Sequence, residues 1–73
     1  MTIEEANSFI VEMRAVQKMS HYLPLELLET HVQEIMFEIK TIIEMAISDN
    51  EKAELIECLK TLKDNFENEI HKR

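Results

Sequence analysis

Apolar residues recur along this chain at helical spacing in three stretches, and the middle one is the longest. Leu25, Leu28, Val32, Ile35, Ile39, Ile42 and Ala46 follow one another at alternating steps of three and four, which lines them along one side of an α-helix as a heptad seam. Met36 and Ile43 fall beside that seam and widen it toward the broader apolar face of a bundle helix, predicting more than one packing neighbour. A helix from Leu25 to Ile47 would run about 35 Å at the usual rise per residue, so the fold is expected to be elongated.

The first stretch opens with Thr2-Ile3-Glu4-Glu5, the pattern of a capping box, in which hydroxyl and carboxylate each satisfy a backbone N–H at the helix start. Its main apolar face is Ile3, Ala6, Phe9, Ile10, Met13 and Val16. A thinner stripe, Val11, Ala15, Met19 and Tyr22, runs down nearly the opposite side, so the first helix is apolar on two sides. Pro24 lacks an N–H and disfavours helical geometry at Leu23, which predicts a short turn after His21 or Tyr22, with a kinked continuous helix as the alternative. Ser48 and Glu51 form a second capping box and start a third helix with the seam Leu55, Leu59, Leu62, Phe66 and Ile70. His71, Lys72 and Arg73 then stand at the negative end of its dipole.

These signals predict an all-α chain, a single domain over 1–73 with helices near 3–21, 24–47 and 49–71. A link of about three residues forces helices two and three into a long antiparallel hairpin, which packs with helix one. Size then bears on assembly. A domain of 73 residues buries only about 60% of the surface its unfolded chain exposes. Cys58 is the only cysteine, so no internal disulfide can compensate. Completion of the bundle by a second copy, a homodimer, is the expected remedy.

With 15 acidic against 8 basic residues the net charge is −7, which repels nucleic acid phosphates and anionic membrane surfaces. Neither direct nucleic acid binding nor membrane association is expected. The acidic N-terminal residues lack the basic and apolar regions of a signal peptide, and no apolar run reaches membrane-spanning length, so a cytoplasmic location is expected.

Candidate chemistry is sparse. His21, His31, Cys58 and His71 sit on different segments at no metal-binding spacing, so no metal or other cofactor is expected. No Lys, Arg or His stands one helical turn from Cys58 to activate its thiol. The carboxylates Glu26, Glu29, Glu34, Glu38 and Glu44 fall on or beside the wet side of helix two, where solvation explains them. Arginine occurs only at positions 14 and 73, too few for a convergent anion site. Met13 and Met36 belong to core faces, which leaves Met19 and Met45 as the methionines of an adaptable surface; Met1 is the initiator.

Phe37 is the residue that the core pattern does not explain, since it stands nearly opposite the helix-two seam among Thr30, Gln33, Lys40, Thr41 and Glu44. Phe37 is therefore the candidate contact for a protein partner or for a second copy of the chain, with a lone exposed ring as the plain alternative, and Val11, Ala15, Met19 and Tyr22 are the candidate dimer contacts. The expected function is that of a small acidic interaction module, a regulator, adaptor or inhibitor of a larger protein partner whose identity the sequence does not reveal, and not an enzyme. A nucleic-acid mimic that occupies a basic cleft through its acidic rows is the first alternative, distinguishable by polyanion competition. A small helical enzyme is the second.

Overall fold

In the computed structural model, which describes residues 2–73, the chain forms helices α1 (Ile3–Lys18), α2 (Leu25–Ile43) and α3 (Asp49–His71). Met1 lies outside the described residues. No strand occurs among the described residues, and the molecule measures 38 × 18 × 16 Å. Both capping boxes form. The Thr2 hydroxyl accepts from the Glu5 N–H at 3.1 Å while the Glu5 carboxylate accepts from the Thr2 N–H at 3.2 Å. Ser48 and Glu51 repeat the arrangement at the start of α3.

Between α1 and α2 the chain makes a turn, not a kink. Ser20–Tyr22 form one 3₁₀ turn, and Pro24 at φ −62° and ψ 150° is the extended residue before α2. The first helix thus gives way to this turn at Lys18, where an α-helix to about residue 21 was expected. Arg73 locks the turn from the far end of the chain, its guanidinium donating to the carbonyls of Ser20 at 3.0 Å, His21 at 3.1 Å and Leu23.

Helix α2 ends at Ile43, not at Ile47. Lys52 from α3 donates to the Ile43 carbonyl at 2.8 Å and so satisfies one of the carbonyls that a helix end leaves open. Past that point Met45 and Ile47 pack against the core from the turn, whereas Ala46, expected to continue the seam, is exposed.

The core joins Ala6, Ile10 and Met13 of α1, Leu28, Val32, Ile35 and Ile42 of α2, and Leu55, Leu59, Leu62 and Phe66 of α3. Helix α2 packs chiefly on α3, and α1 also leans mainly on α3. Two consequences correct the expected α2 face: Met36 and Ile43, which were to widen it, are 47% and 55% exposed, and Leu25, the first residue of the seam, is 41% exposed. Three helices cannot surround the wide face of a bundle helix, so its rim stays in water.

Candidate functional site

The contact residues singled out in the sequence divide between two separate places. Phe37 is 70% exposed on the outer side of α2. Val11 (63%), Met19 (58%) and Tyr22 (77%) are exposed with Ala15 along α1 and the 3₁₀ turn. Val11 borders the crevice between α1 and α3, next to Arg14 and Cys58, whereas Phe37 borders the groove between α1 and α2. The structure therefore does not join them into one patch.

The Phe37 groove has a volume of about 380 Å³ and is bounded by Phe9 from α1 and by Thr30, Gln33, Glu34, Phe37 and Glu38 from α2. Phe9 is half-buried and anchors one wall in the core. Each wall has a local reason to stand where it does. Phe9 shares the face that Ala6 and Met13 bury, and Thr41 fixes the backbone beside Phe37 by donating to its carbonyl at 3.0 Å.

Glu38 departs from the sequence expectation. Placed there among solvated carboxylates, it is only 6% exposed in the structure, and its Oε2 has no hydrogen-bond partner among the described residues. Burial, and after it the negative charge of Glu5 on α1, push its carboxyl above the ordinary range. A signal for this burial does exist in the sequence, because Glu38 lies three residues after Ile35 and four before Ile42, a position in helical register with the core.

The remaining polar groups among the described residues are spread over separate places. A larger concavity of about 720 Å³ between the start of α1 and the end of α2 takes its polar groups from Thr2, Glu4, Thr41 and Glu44, and Thr2 is committed to the helix cap. The His31 Nδ1–H donates to Glu34 at 2.9 Å, and the ring lies 5.6 Å from that of Phe66. His21 stacks on Tyr22 at 3.9 Å. Arg14 reaches across from α1 to donate to Cys58 Sγ at 3.6 Å, a cation that counting neighbours within one helix misses. Among the described residues no group of three or more His, Cys, Asp or Glu side chains is placed to hold a metal ion, and no helix is long and apolar enough to cross a membrane. Comparison with known proteins finds no matching family, no matching characterised protein and no matching solved structure.

Proposed function

We propose that this chain is a small acidic helical interaction module that regulates, adapts or inhibits a larger protein partner, acts in the cytoplasm, and performs no catalysis of its own. The observation that carries the reading is Phe37, 70% exposed on a helix whose opposite side holds the core. Helix propensity gives no reason to prefer Phe over Ala at such a site, and a partner that covers the ring supplies one. The Val11, Ala15, Met19 and Tyr22 stripe lies apart from Phe37 and serves a second copy of the chain in this reading.

Affinity capture from the native cell followed by mass spectrometry names the partner. Phe37→Ala then weakens that complex about thirtyfold while leaving the circular dichroism unchanged. Unchanged affinity would remove Phe37 from the contact. Light scattering tests the second copy: a dimer mass at micromolar concentration supports it, and a monomer across a hundredfold dilution series contradicts it.

A further inference from the structure

One side chain on the Phe37 flank belongs neither to the dry core nor to solvent. Glu38 is more than nine-tenths buried, lines the groove between Phe9 and Phe37, and leaves Oε2 without a donor among the described residues. Buried carboxylates are normally paired or fully hydrogen-bonded, because an unmet acceptor in a poorly hydrated site keeps its whole desolvation cost. Resting on the interaction function proposed above, we infer that the groove takes an arginine or lysine side chain from a helix of the protein partner, its charged head bonded to Glu38 and its stem or guanidinium plane laid on Phe37.

Three features select this occupant. The orphan oxygen is an acceptor, so the incoming group must donate. Glu34 stands at the same groove and Glu5 acts on Glu38 from α1, so the donor is favoured if it carries positive charge. Phe37 then offers the aromatic face on which a guanidinium or an alkyl-ammonium stem rests well, and the apolar rim of Phe9 suits the residues one turn away on a helical partner. A second copy fits poorly here: it brings a further charge of −7, and its α2 carries Lys40 as the sole Lys or Arg. Lipid surfaces present anionic headgroups, which this flank repels.

The probe is a displayed library of amphipathic helices whose central apolar-face position is fixed as Arg, Lys, Gln or Glu in separate pools. Selection against the full chain is expected to enrich the Arg and Lys pools. Their binders should lose at least about tenfold in affinity to Glu38→Gln and to Phe37→Ala, keep part of it with Glu38→Asp, and be indifferent to Asp64→Asn on exposed α3. Carbon-detected NMR titration should show the Glu38 carboxyl ionising at lower pH in the complex than in the free chain.

Binders drawn equally from the Gln or Glu pools, or unmoved by Glu38→Gln, would overturn the cation assignment. If they still lost affinity on Phe37→Ala, the interaction function would survive that result. If no pool gave a binder sensitive to Phe37→Ala, both would fall. Self-association that Phe37→Ala abolishes would place a second copy in the groove and overturn the inference.

Discussion

Toward α3, helix α2 presents Leu28, Ile35 and Ile42, all fully buried in one cluster with Leu59 and Phe66. Toward α1 it presents Glu38, buried without a partner among the described residues, at the edge of a groove rimmed by an exposed Phe37. The two flanks share one helix and one solvent, so the difference lies in what each achieves. Apolar burial on the first stabilises the fold by about 25 cal/mol for each Å² removed from water. On the second, an unsatisfied buried acceptor costs about 1 to 3 kcal/mol. A flank that only stabilised would place leucine at position 38 and a polar residue at 37. Stability therefore resides in the hairpin seam, and the proposed contact lies in the flank that works against it.

Substitutions that break the first flank should have the largest effect. Phe66→Ala is expected to cost about 3 to 5 kcal/mol in urea denaturation, since the ring is fully buried between α2 and its neighbours. Ile35→Ala should cost about 2 to 4 kcal/mol, the cavity lying mid-seam where collapse is hardest. Losses below about 1 kcal/mol for both would place the core elsewhere. Arg73→Ala removes the clamp on the 3₁₀ turn and should cost about 1 kcal/mol, with amide exchange faster around Ser20–Tyr22. On the outer flank, Phe37→Ala and Glu44→Ala should each change stability by less than about 0.5 kcal/mol. A larger loss for Phe37→Ala would mean that the ring supports the fold and that the comparison is misdrawn.

Helix number, both capping boxes and most of the hairpin seam were legible because each is a local pattern that needs only residues one turn apart. The early end of α2 was not. The phase of Ala46 continues the seam, whereas the backbone closes with the Glu44 and Met45 N–H groups donating to the Thr41 and Ile42 carbonyls and Lys52 reaching back to that of Ile43, contacts that spacing does not encode. Arg14 with Cys58 and Arg73 with the Ser20–Leu23 carbonyls escaped for the same reason: they join residues 44 and 50 or more positions apart, where spacing carries no signal. Phe37 was picked out because an aromatic ring opposite a seam contradicts the helical pattern. The burial of Glu38 is harder to read, because its charge points to solvent while its register with Ile35 and Ile42 points to the core, and the line along which α1 packs decides between them.

The direct test of a stabilising flank set against one that costs stability is the urea stability of Glu38→Leu across pH. The fold holds the Glu38 carboxyl above its ordinary range, so the folded chain keeps a proton that the unfolded chain has already released. The stability contributed at this position is complete below the ordinary carboxylate range and falls as pH rises through it to the raised value. Glu38→Leu is therefore expected to be about 1 kcal/mol more stable than the parent at neutral pH, with an unchanged denaturant slope and a gain that shrinks in acid. A leucine variant less stable than the parent at neutral pH, or a gain that does not vary with pH, would contradict the account.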